Sequence, residues 1–109
     1  VEKDFIDRFR SLLENNLSNS ELSVEDLGEQ MGLSRVQLYR KIKALTNYSP
    51  VELLRITRLK KASALLSSTD KTISEVTYEV GFTSPSYFTK CYKEYFGESP
   101  SDFLKRKNS

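Results

Sequence analysis

Apolar residues return at helical spacing along nearly the whole chain. Phe5, Ile6, Phe9, Leu12, Leu13 and Leu17 share one side of a helix predicted from Glu2 to about Asn16, and Asn15-Asn16 and Ser18-Asn19-Ser20 end it. Ser23 then stands three residues ahead of Asp26, with Leu22 and Leu27 around them, which is a capping box with its hydrophobic staple. The helix it opens turns Val24, Leu27 and Met31 inward and stops at Gly32, where glycine permits a left-handed turn. Ser34 and Gln37 make a second box, stapled by Leu33 and Leu38, so a new helix begins almost at once. Two short helices joined by so tight a turn form a helix-turn-helix pattern. Asn47 suits a left-handed C-cap, and Ser49-Pro50-Val51-Glu52 is a strong helix start. The helix predicted from there to about Leu66 carries Leu53, Ile56, Leu59, Ala62 and Leu66 inward and basic residues opposite, a rod of roughly 25 Å. Ser67-Ser68-Thr69-Asp70 breaks it.

The unit then recurs. Gly32-Leu33-Ser34 aligns with Gly81-Phe82-Thr83, and Leu38, Ile42, Lys43, Ser49 and Pro50 align with Phe88, Tyr92, Lys93, Ser99 and Pro100, one residue being added in the second turn. Thr72 and Glu75 repeat the capping box, Ile73, Val76 and Val80 face inward, and Ser84-Pro85 opens a helix that Gly97 caps. Ser99-Pro100-Ser101-Asp102 starts a last one carrying Phe103 and Leu104, with Lys105, Arg106 and Lys107 favourable to its dipole. The expected fold is all-α, with seven helices, no strand, and two helix-turn-helix subdomains joined by a long linker helix. The expected divisions are 1–20, an N-terminal helix packed on the core; 21–49, the first helix-turn-helix; 50–69, the linker; and 70–109, the second helix-turn-helix with the C-terminal helix.

A helical wheel separates the working face from the buried one. At about 100° per residue, Leu38, Ile42 and Leu45 cluster together, while Val36, Tyr39, Arg40 and Lys43 lie opposite and Arg35 stands at the N-terminal edge. In the second copy Phe88, Tyr92 and Tyr95 fall inward, and Ser86, Thr89, Lys90 and Lys93 outward. Such side chains suit major-groove recognition: Arg can pair with two acceptors on a guanine edge, a valine or threonine methyl can meet the thymine methyl, and Tyr, Ser and Lys reach phosphates. The second helix of each unit would enter the groove N-terminal end first, and the first would cross the backbone.

Charge distribution supports a polyanionic partner. The net charge is only +2. Yet between residues 30 and 69 Arg35, Arg40, Lys41, Lys43, Arg55, Arg58, Lys60 and Lys61 face Glu52 alone, whereas the first 29 residues are strongly acidic. Arg55, Arg58, Lys60 and Lys61 suit long-range attraction or partner contacts better than base reading. Lys41, Lys60 and Lys61 also fit an ordinary solvated face. The chain has no histidine, which removes the commonest general base and zinc ligand, and no nucleophile, base and orienter can be assembled from the rest, so no enzyme, cofactor or metal is expected. Its single cysteine, Cys91, reads as a packing residue in a reducing, cytoplasmic compartment, and the aromatics after Tyr78 read as core. No apolar run reaches membrane-spanning length, the start is not a signal peptide, and a first residue of Val is expected of a segment excised from something longer.

The stretches Gly-Leu-Ser-Arg-x-x-Leu-x-Arg-Lys-x-Lys-x-Leu-Thr-x-x-Ser-Pro at 32–50, Val-Gly-Phe-x-x-x-x-Tyr-Phe-x-Lys at 80–90 and Tyr-Phe-Gly-x-Ser-Pro at 95–100 carry a family resemblance. The chain resembles the DNA-binding domain of AraC/XylS-type bacterial transcription regulators from about Leu22 to Lys107. The wording of its first recognition helix is most similar to versions at the C-terminus of hybrid two-component sensors. The resemblance implies two recognition helices entering successive major grooves of double-stranded DNA, with base-contacting positions on Arg35, Val36, Tyr39 and Arg40, then on Pro85, Ser86, Thr89 and Lys90. Lys43 and Lys93 join them from the wheel. It also implies fusion to a signal-sensing or dimerisation region. Gly28 and Thr77 stand where a small alanine is usual and Asn47 where glycine is usual; Gly28 would cost its helix up to about 1 kcal/mol relative to alanine. Pro85 lacks an N–H where polar side chains often read bases, so the first recognition helix is expected to carry most base discrimination and the second mainly to anchor. The alternatives are a nonspecific architectural DNA binder and a docking module that contacts RNA polymerase through the basic linker helix.

Overall fold

A serine or threonine side chain opens every helix after the first. In the computed structural model, which describes residues 2–109, the elements are α1 Glu2–Asn15, α2 Val24–Met31, α3 Arg35–Thr46, α4 Pro50–Ser68, α5 Ile73–Glu79, α6 Pro85–Phe96 and α7 Pro100–Lys107. No strand occurs among the described residues. Ser23, Ser34, Ser49, Thr72, Ser84 and Ser99 each accept a hydrogen bond from the backbone N–H three residues on. For the first four the third residue's side chain also accepts from the cap's own N–H, so two orphan donors are satisfied at once. Asn47 takes the left-handed conformation at φ 68° as the C-cap of α3, which asparagine tolerates better than most residues.

The chain divides into two compact units. The first comprises α1, α2, α3 and the start of α4, through residue 57. Its core is built from Phe9, Leu13, Leu17, Leu22, Leu27, Met31, Leu38, Ile42 and Leu54. Phe5, Ile6 and Leu12 of α1 pack against that core only in part, and Lys41 lies over the Phe5 ring at 4.5 Å. At the start of α4 it is Leu54, not Leu53 or Ile56, that is buried; the latter two are half-exposed. The expected inward stripe of Leu53, Ile56, Leu59, Ala62 and Leu66 misses this, because the apolar residues of α4 feed two separate cores.

The second unit comprises residues 58–109 together with 18–20. Leu59, Ala62, Leu66, Val76, Val80, Phe82, Phe88, Cys91 and Tyr92 form its core, in which Phe82, Phe88 and Tyr92 stack in sequence at 5.2 and 5.7 Å between ring centroids. Cys91 is free and buried. Thr77 is wholly buried, its hydroxyl satisfied by donating to the Ile73 carbonyl at 2.7 Å. Three sequence expectations change here. Tyr95 is 41% exposed rather than inward, and Tyr87 and Phe96 are exposed as well, because Cys91 and Tyr92 already fill the inner side of α6. Arg58, expected to serve long-range attraction or partner contacts, is instead half-buried: its Nη2 donates to the Asn19 carbonyl at 2.8 Å, and burial lowers its pKa. Lys107 donates to the carbonyls of Leu66 in α4 and of Thr69 just after it rather than serving its own helix alone.

The turn of the first unit explains Gly28. The Leu33 N–H donates to the Gly28 carbonyl at 2.8 Å, drawing the turn against α2, and a Cβ on Gly28 would stand 2.7 Å from the Leu33 carbonyl oxygen. Glycine is therefore a close-packing requirement there and not merely a weak helix former.

Candidate nucleic-acid interface

On α3 the buried pair Leu38 and Ile42 fixes the rotation of the helix, and the capping box at Ser34 fixes where it starts. Its outer side then presents Arg35, Val36, Tyr39, Arg40 and Lys43, all exposed. Val36 is 57% and Tyr39 48% exposed, so two large apolar side chains stand in water between two arginines. That costs solvation without packing in return.

Two of the five basic and apolar positions have partners within the chain. Arg35 Nη1 donates to Glu25 Oε1 of α2 at 2.9 Å, an exposed ion pair. Lys43 Nζ donates to the Asn47 carbonyl at 3.1 Å, closing the last turn of its own helix. Lys43 thus has a structural duty alongside any role at a phosphate.

The corresponding side of α6 is less prominent. Ser84 caps the helix and Pro85 occupies its first position, where the missing N–H costs nothing. Ser86, Lys90 and Lys93 are exposed, while Pro85 and Thr89 are half-buried. Where α3 offers the Tyr39 ring, α6 offers a recessed threonine. Tyr87, not anticipated at this face, is 49% exposed with its ring 5.9 Å from that of Phe82. Its position aligns with Gln37, whose side chain serves the Ser34 cap, so the repeat gave no signal for it. Glu25 had no signal either, since ten residues and a turn separate it from Arg35.

Carboxylates here serve the caps. Hydrogen bonds from Ser49 hold the Glu52 carboxyl below its ordinary pKa, and those from Thr72 do the same for Glu75. Among the described residues no group of three or more His, Cys, Asp or Glu is placed to hold a metal ion, and no helix is long and apolar enough to cross a membrane.

Two units, each with a capped turn and an outward second helix, define a double helix-turn-helix protein of the kind that presents helices to nucleic acid. The family described as helix-turn-helix domain matches residues 27–106. The chain belongs to that family, in its AraC-type, DNA-binding form. It is similar to a transcriptional regulator of AraC-type DNA-binding domain-containing proteins from Chromobacterium violaceum, at 28% identity and a TM-score of 0.88, covering 96% of this chain and 93% of that one. It is also similar to the DNA-binding domain of AdpA, a global transcriptional factor solved in complex with a target DNA, at 26% identity and a TM-score of 0.84, over 96% of this chain and 90% of the other. Among curated relatives, histidine kinase P4 of Formosa agariphila is 37% identical over 97% of this chain. The chain spans only 8% of that relative's length.

Proposed function

We propose that this chain is the sequence-reading output segment of a bacterial transcription regulator, inserting α3 and α6 into successive major grooves of double-stranded DNA. Recognition helix α3 carries most base discrimination through Arg35, Val36, Tyr39 and Arg40. Helix α6 mainly anchors, with Pro85, Ser86, Thr89 and Lys90 along the groove and Lys93, like Lys43, at phosphates. The observation that carries this reading is the exposure of Val36 and Tyr39 between arginines on a helix whose rotation is fixed by Leu38 and Ile42. The likeness to the DNA-bound AdpA domain supports it, and the small share of the histidine kinase that the chain spans supports fusion to a sensing or dimerising region, in a protein that acts in the cytoplasm. The segment does no catalysis; it converts a signal received elsewhere into occupancy of an operator. Lys60 and Lys61 remain exposed on α4, where they suit long-range attraction to DNA or, as the alternative, a docking contact with RNA polymerase.

Selection from a random duplex pool at near-physiological salt tests the reading. Two enriched blocks with centres about one helical turn apart are expected. A single block would leave α6 as an anchor only, and binding without enrichment would replace sequence reading with architectural binding.

A further inference from the structure

We infer that Glu25 is a positioning residue for Arg35, holding the guanidinium by one nitrogen so that its two-donor edge reads bases in preference to phosphates. The inference rests on the DNA-reading function proposed above and concerns how that site discriminates.

Glu25 lies in the first turn of α2 and Arg35 is the first residue of α3, so the 2.9 Å bond ties the start of one helix to the start of the next. The contact engages Nη1 alone, and the Nε–Nη2 edge stays available. Elsewhere in the chain that edge shows what it can do: Arg106 presents Nε and Nη2 together to the Glu98 carboxylate, at 3.3 and 2.7 Å. Two parallel donors are the arrangement that matches the O6 and N7 acceptors of guanine. Arg35 can therefore keep Glu25 and still make a bidentate base contact.

The carboxylate has a second effect. It cancels much of the charge with which Arg35 would otherwise attract any phosphate, and it repels phosphate oxygens from that corner of the site. Sequence-independent binding is weakened more than binding to the correct base. The arrangement belongs to the first unit only, since Ser74 and Pro85 occupy the aligned positions in the second. It thus coincides with the unit assigned to base reading.

The test compares wild type and Glu25→Gln on two duplexes of equal length at fixed salt, one selected from the random pool by the wild-type chain and one of random sequence. The variant should bind the random duplex tighter and the selected one no tighter, lowering the affinity ratio by about fivefold or more, the low end of discrimination by a bidentate base contact. Arg35→Ala with and without Glu25→Gln should show no such change in ratio. An equal gain on both duplexes, or the same change in ratio with Arg35 absent, would overturn the inference, because Glu25 would then act only as a nearby charge. Wild type that does not distinguish the duplexes would overturn the DNA-reading function itself, and the inference with it. Circular dichroism melting confirms that each variant is folded.

Discussion

Lys107, in the last turn of α7, donates through Nζ to the carbonyls of Leu66 at 2.6 Å and Thr69 at 3.3 Å, and so closes the C-terminal end of α4. The last carbonyls of a helix have no intrahelical partner, and a cation there also meets the negative end of the dipole. Lys107→Met keeps most of the stem and removes both bonds. It should lower stability by about 1 kcal/mol, read as a shift in urea midpoint at unchanged slope. An unmoved midpoint would mean that water serves those carbonyls equally well.

Gly28→Ala sets two effects against each other. Alanine gains up to about 1 kcal/mol of helix propensity. The new Cβ, however, meets the Leu33 carbonyl oxygen at 2.7 Å, and that oxygen belongs to backbone tied down by the Leu33 N–H bond to Gly28. The clash should win, with a net loss of about 1 to 2 kcal/mol in chemical denaturation. Stabilisation instead would show that the turn yields easily. Gly32→Ala is the companion measurement: nothing lies within 4 Å of its Cβ, so its cost comes from φ 71° alone.

Acid should destabilise the chain through its capping boxes. The folded-state pKa values of Glu52 and Glu75 lie below ordinary, so their contribution is complete above the unfolded-state pKa and is lost as pH falls through the folded one. With an unfolded glutamate near about 4.3, the melting temperature should begin to fall below about pH 5. Replacing both by Gln keeps the acceptor oxygen, as Gln37 does in its own box, and removes the titration. The double variant should melt with a flatter acid limb than wild type.

Arg40 and Lys93 should fail in different ways. Arg40→Ala is expected to lower affinity for a selected duplex by about 1 to 3 kcal/mol and to relax base preference at one position. Lys93→Ala should weaken all duplexes alike and flatten the dependence of log affinity on log salt by about one unit. Titrations at several salt concentrations separate the two. Equal losses for Arg40→Ala on selected and random duplexes would move Arg40 from bases to phosphates.

Most of the architecture was legible because its signals are local. A serine with its box partner three residues away, a glycine or asparagine after the last apolar position, and a pattern recurring from Gly32 to Gly81 mark helix starts, stops and duplication without any long-range contact. The outward positions of α3 were equally accessible, since one buried stripe dictates the opposite side. What escaped depends on distant neighbours. Nothing in the sequence around Arg58 announces the Asn19 carbonyl, nor does Glu25 announce Arg35, and the role of Gly28 appears only when Leu33 folds back onto it. Tyr95 misled because a helical wheel assigns an angle but cannot say how wide the buried stripe is once Cys91 and Tyr92 have filled it.

The buried residues of the first core all precede Leu59, with Leu54 the last of them, and those of the second run from Leu59 onward, so the two cores share no side chain. During synthesis a chain released to just beyond Leu54 already holds every side chain that its first core requires, before the second helix-turn-helix has been translated. Each core also closes over short stretches of sequence, which keeps the entropy of loop closure small and favours fast folding. The side chains of the first core are thus all synthesised before any of the second.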